Sequence, residues 1–79
     1  MENKLDLHGI RHDEVDRLVE NFVLLNEIPL DIIVGNSSRM RELVEKVLER
    51  HKFVYDSLIN QGVITVLGDK WWMNIYYSQ

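Results

Sequence analysis

The sequence contains no cysteine, which removes disulfide staples and thiolate metal ligands from consideration. Pro29 is the only proline, and no linker, repeat or low-complexity stretch interrupts the chain. No apolar run approaches the ~18–20 residues of a membrane span. The opening residues Met1-Glu2-Asn3-Lys4 lack a signal-peptide pattern, so a cytoplasmic location without a membrane partner is expected. Basic residues are the minority, nine Lys and Arg against thirteen Asp and Glu, for a net charge of −4. Binders of DNA or RNA usually carry a basic face. The balance therefore argues against a general electrostatic grip and leaves room only for a local basic site.

What is present reads as one small domain over residues 1–79. A chain of this length buries only ~60–65% of its unfolded surface, so the core is small. With 46% hydrophobic and 28% charged residues, the composition is that of an ordinary globular domain.

Leu5-Asp6-Leu7-His8 alternates apolar and polar residues, a short strand over 5–8 ended by Gly9. Val15, Leu18, Val19, Phe22 and Val23 recur at helical spacing. Asp13 and Glu14 suit the first turn of that helix, and Pro29 ends it near Asn26. The spacing predicts a helix near 12–26. Leu30–Val34 is a compact, β-branched run, a buried strand. Gly35-Asn36-Ser37-Ser38 turns into a second helix near 38–51, marked by Met40, Leu43, Val44, Val47, Leu48 and His51. Strand, helix, strand, helix implies parallel strands joined by crossovers.

Further strands are expected at 53–58 and 63–67, the second entered through Asn60-Gln61-Gly62. Gly68-Asp69-Lys70 reads as a hairpin turn. A last strand over 71–77 places Trp71, Met73, Ile75 and Tyr77 on one side. The expected fold is α/β, a two-layer βαβα sandwich with a mixed sheet and helices mainly on one face.

The informative segment is Leu5-Asp6-Leu7-His8-Gly9. Alternation sets Asp6 and His8 on the face opposite Leu5 and Leu7. A carboxylate and an imidazole so placed can share a proton, a metal or a substrate contact, and histidine titrates nearest neutrality. The second strand also ends in a glycine turn, Val34-Gly35-Asn36-Ser37. Ligands gather at the C-terminal ends of parallel strands. Neighbouring strands lie ~5 Å apart, so the two loops would meet. The N–H groups opening the second helix would then face an anion.

This order resembles the Smr (small MutS-related) domain family. Leu-Asp-Leu-His-Gly precedes a helix. An apolar strand then ends in a glycine turn, followed by a helix with basic residues near its start. The resemblance covers residues 4–67, with 71–77 as an added strand. The family's second motif reads Thr-Gly-x-Gly or His-Gly-x-Gly. Here Gly35 matches it, while Val34 and Ser37 replace its polar residue and second glycine. The resemblance implies a fold similar to the C-terminal domain of translation initiation factor three, and a role with DNA or RNA that includes endonuclease activity. It carries Asp6 and His8 over as catalytic candidates, and Gly35 as the second-loop glycine.

Each candidate has a plainer alternative. Asp6 ligates a metal or orients a base, or else it hydrogen-bonds backbone amides of the Gly9 turn. His8 is a general base or phosphate ligand, or a buried histidine satisfied by a carbonyl. Arg39 and Arg41 grip phosphates, or pair with Glu42 and Glu45. Gly9, Arg11, Asn36, Ser37 and Ser38 border the expected site. His12 is expected at the helix start, and His51 packed in the core. Trp71, Trp72, Tyr76 and Tyr77 stack bases or cover the core. A divalent metal is a compatible cofactor, although two side chains make an incomplete site. Two functions follow: an endonuclease cutting DNA or RNA phosphodiesters, or a non-catalytic module that binds nucleic acid or a protein partner.

Overall fold

The computed structural model describes residues 3–57 and 62–69. It is a small α/β domain with a four-stranded mixed sheet and two helices. The elements are β1 (Lys4–Asp6), α1 (His12–Leu25), β2 (Leu30–Ile33), α2 (Ser38–Arg50), β3 (Phe53–Asp56) and β4 (Val63–Asp69). The sheet order is β1-β2-β4-β3. β1 runs parallel to β2, with Leu5 opposite Ile32, whereas β4 is antiparallel to both β2 and β3.

Strand alternation divides the sheet into two unlike faces. Leu30 and Ile32 of β2 and Ile64 and Val66 of β4 are buried, together with Leu7 just past β1. Val15, Val19, Phe22 and Val23 of α1 and Met40, Val44, Val47 and Leu48 of α2 pack on them in one core. Both helices therefore lie on one side. On the other face, Asp31 and Thr65 are cross-strand partners, and the Thr65 hydroxyl donates to Asp31 Oδ1 at 2.9 Å.

The two helices begin differently. α1 starts at His12 and carries Asp13 and Glu14 in its first turn, where the dipole favours negative charge. α2 has no acidic residue in its first turn. Ser37 caps it, accepting the Met40 N–H at 3.0 Å.

The helices are also tied to each other near the end of α2. Arg50 donates to both Asp16 carboxylate oxygens, at 2.8 and 3.0 Å, and holds that carboxyl below its ordinary value. A carboxyl depressed in the folded state contributes above its unfolded pKa, and that contribution is lost as pH falls through the folded value. Both side chains are about half exposed, so the increment is small. Arg50→Ala is expected to lower stability slightly near neutrality and to leave it unchanged in strong acid. Urea denaturation at the two pH values checks this, and an equal loss at both would remove the ion pair as the cause.

Several boundaries differ from the sequence expectation. β1 pairs over 4–6 rather than 5–8, because Leu7 begins a turn. β3 ends at Asp56 rather than Leu58. Gly68 and Asp69 are not a hairpin turn; they continue β4, where Gly68 pairs with Val54 and Asp69 with Phe53. The pairing partner, which lies about fifteen positions earlier in the chain, overrides the local turn propensity of Gly-Asp. His51 is not a core residue. It caps α2, is half-buried, and its Nε2 lies 2.7 Å from Glu20 Oε2. The strand expected over 71–77 lies outside the described residues.

Candidate functional site

The candidate site forms at the edge where β1 and β2 both end. The Leu7 N–H donates to Ile33 O at 3.0 Å, so the two exits are fastened side by side. The Ile10 N–H returns to Leu7 O at 3.0 Å and closes a four-residue turn. Gly9, its third residue, has φ +79, the left-handed conformation that a type II turn demands at that position. Asp6 Oδ1 accepts the His8 N–H at 2.9 Å. The carboxylate thus braces the turn by reaching two residues ahead, which is the plainer of its two sequence readings. His8 is exposed, and its ring makes no hydrogen bond to a described residue. It is not the buried histidine of the plainer reading.

The brace can be separated from any chemical role. Asp6→Ala is expected to lower stability by ~1 kcal/mol, the net value of one such bond. Asp6→Asn keeps an acceptor oxygen and should recover most of it. Equal losses in urea denaturation would show that charge, and not the bond, is what matters.

On the neighbouring strand the chain leaves through Val34 and Gly35. Both of their N–H groups donate to Gly62 O, at 2.9 and 3.1 Å, so the entry to β4 buttresses this turn. Gly35 has φ +67. Beyond it, Gly35, Asn36, Ser37, Ser38 and Arg41 line a pocket of about 140 Å³. Helix geometry leaves the Ser38 and Arg39 N–H groups without intrahelical acceptors, at the end where the dipole favours an anion. The Arg41 guanidinium is half-buried and donates to Ser57 O at 2.9 Å, which fixes it in the pocket wall.

The structure therefore gathers Gly35, Asn36, Ser37, Ser38 and Arg41 into one concavity. Asp6 ends β1 and His8 and Gly9 sit on the adjoining turn, and none of the three lines it. Arg39 turns aside and bonds Glu42 at 2.8 Å, and Arg11 bonds Asp13 at 3.2 Å. These exposed pairs are worth little energetically, but they direct both guanidinium groups toward carboxylates of their own helix. Among the described residues, no three His, Cys, Asp or Glu side chains form a group able to hold a metal. No described helix is long and apolar enough to cross a membrane.

Two supporting residues escaped the sequence reading. Ser57 anchors Arg41 across 16 positions, and Gly62 receives two amides from a turn 27 and 28 positions earlier. No local pattern marks either, since both act through backbone carbonyls.

Comparison with protein-family models, with curated proteins and with solved structures returned no match to this chain.

Proposed function

We propose that this chain is an Smr-type module that binds DNA or RNA, gripping a backbone phosphate at the Gly35–Arg41 pocket. The pocket itself carries this reading. It joins an anchored arginine to the start of a helix that supplies no acidic side chain in its first turn. A phosphate there would meet backbone donors, the dipole and a guanidinium together. The contrast with α1, which carries its own acids at the same position, supports assigning the anion to α2. The βαβαββ order with both helices on one side supports likening the fold to the C-terminal domain of translation initiation factor three.

A second reading adds phosphodiester cleavage. It rests on His8, whose exposed ring bonds no described residue beside the pocket's loop. In this reading His8 takes the proton of a water that attacks the bound phosphorus as the P–O bond to the leaving oxygen breaks, and Asp6 holds the turn that presents it. The replacement of the family's second motif by Val34-Gly35-Asn36-Ser37 favours binding over cleavage.

The test measures affinity for short single-stranded DNA and RNA across a salt series, with cleavage followed in the same samples. Arg41→Ala is expected to reduce the magnitude of the slope of log affinity against log salt by roughly 0.7–0.9. Arg39→Ala should change it less, because Glu42 already pairs with that residue. His8→Ala should leave the slope intact and abolish any turnover, since a proton-transferring group acts mainly in the transition state. Absence of binding by the wild type would overturn the nucleic-acid reading and leave a protein partner as the alternative.

A further inference from the structure

The turn before α2 carries a second chemistry. Asparagine stands at positions 3, 21, 26, 36, 60 and 74, and Asn36 alone is followed by a small residue, Ser37. Lys, Phe, Glu, Gln or Ile follows the others. A small following side chain leaves its own backbone nitrogen open to the carboxamide just before it. The fold keeps that approach open. Asn36 and Ser37 are both exposed, and they lie between the end of β2 and the start of α2. The Ser37 hydroxyl and carbonyl accept helix N–H groups, but its own N–H and the Asn36 carboxamide make no hydrogen bond to a described residue. Two other asparagines are placed differently. Asn21 lies within α1, and the Asn26 carboxamide is tied to Phe22 O at 2.9 Å.

We propose that Asn36 is a site of spontaneous deamidation, which turns the Gly35–Arg41 pocket from accepting an anion to repelling one. The Ser37 nitrogen attacks the Asn36 side-chain carbonyl carbon and loses its proton. The bond from that carbon to the amide nitrogen breaks, and the nitrogen leaves as ammonia. A five-membered succinimide ring remains. Water adds to one of its two carbonyls, and the ring bond from that carbon to nitrogen opens. Opening at the former side-chain carbonyl leaves aspartate. Opening at the main-chain carbonyl leaves isoaspartate, with the main chain rerouted through the side-chain carbon. Water is the only co-reactant.

Both products place a carboxylate where a neutral amide lined the pocket. Repulsion of a bound phosphate at close range should cost about tenfold in affinity at low salt, and less as salt screens it. The same charge suits the start of α2, where the helix dipole favours it. Affinity and stability should therefore part company. The effect on binding rests on the phosphate reading of this pocket, whereas the conversion of Asn36 does not.

The full chain would be aged in mildly alkaline buffer, digested, and mapped by mass spectrometry for the loss of ammonia and gain of water. Asn36 should convert several-fold faster than Asn26, and affinity for a short single-stranded DNA should fall in step. Asn36→Asp should show the lowered affinity without ageing, with a Tm no lower than that of the wild type. Whatever affinity Asn36→Gln starts with should persist through the same ageing, because the longer side chain closes a less favourable ring. Conversion of Asn36 no faster than that of Asn26 would overturn the proposal. So would wild-type affinity in Asn36→Asp, or a Tm that falls together with its affinity, which would assign the loss to the fold. If the fresh wild type binds no DNA or RNA, the phosphate reading fails and the pocket switch fails with it, while the mass measurement still decides whether Asn36 is a modification site.

Discussion

Ile32→Ala is expected to destabilise the domain by about 2–5 kcal/mol, the range for removing a large aliphatic side chain from a close-packed core. Ile32 is fully buried at the middle of β2, between Leu5 of β1 and Ile64 of β4. β2 is hydrogen-bonded along both edges, so its backbone cannot shift to fill the space. A domain of 79 residues has roughly 4–12 kcal/mol of total stability at ordinary per-residue values. A single truncation at this point would therefore remove a large fraction of it. Ile32→Val should lose only ~0.5–1.5 kcal/mol. Leu67→Ala, at an exposed position, should stay within about 0.5 kcal/mol of the wild type. Urea titration of the three variants checks the order. An Ile32→Ala variant as stable as Leu67→Ala would show that β2 is not the centre of the core.

Gly35→Val is expected to affect both stability and binding. Gly35 holds φ +67, and a Cβ built there meets nothing within 4 Å. The penalty is therefore torsional and not steric crowding, about 1–2 kcal/mol for an L-residue forced into the left-handed region. A β-branched residue is especially disfavoured there. To escape the strain, the backbone must turn elsewhere, which would break the paired donation from Val34 and Gly35 to Gly62 O and open the pocket beyond it. Oligonucleotide affinity should fall with it. Gly35→Asn, which tolerates this conformation better, should retain more of both. The decisive measurements are thermal denaturation and oligonucleotide titration of the two variants. Unchanged stability in Gly35→Val would mean that the turn does not require its positive φ.

What the sequence shows of this fold follows the range of the interactions concerned. The helices were legible to within a residue, because Val15, Val19, Phe22 and Val23, and Met40, Val44, Val47 and Leu48, repeat at the helical period and occupy the core. The parallel pairing of β1 with β2 followed from the intervening crossover helix. The fate of Gly68 and Asp69 did not, because it depends on β3 as a partner. At the candidate site, the Gly35–Ser38 turn was legible from its glycine and its capping residues. Of the arginines, the pairing of Arg39 with Glu42 was one of the two readings offered, whereas the bond of Arg41 to Ser57 was not foreseen, because a guanidinium reaches far enough to choose among partners. Arg39 and Arg41 are two residues apart, yet one bonds Glu42 on its own helix and the other Ser57 beyond β3.

The position of β4 has a consequence for how the domain is made. It is the last described strand in the chain, yet it lies between β2 and β3. While a ribosome extends the chain, β1, α1, β2, α2 and β3 emerge first, with one edge of β2 unpaired. The sheet closes only when Val63–Asp69 arrives between β3 and β2, pairing with β2 residues 30 to 36 positions earlier in the chain. An unpaired strand edge is a template for association with other chains, and non-local pairing is slow to form. The nascent domain is therefore most vulnerable to aggregation in the interval between completion of β3 and insertion of β4. Slowing synthesis there should raise the insoluble fraction, whereas a pause after Asp69 should not.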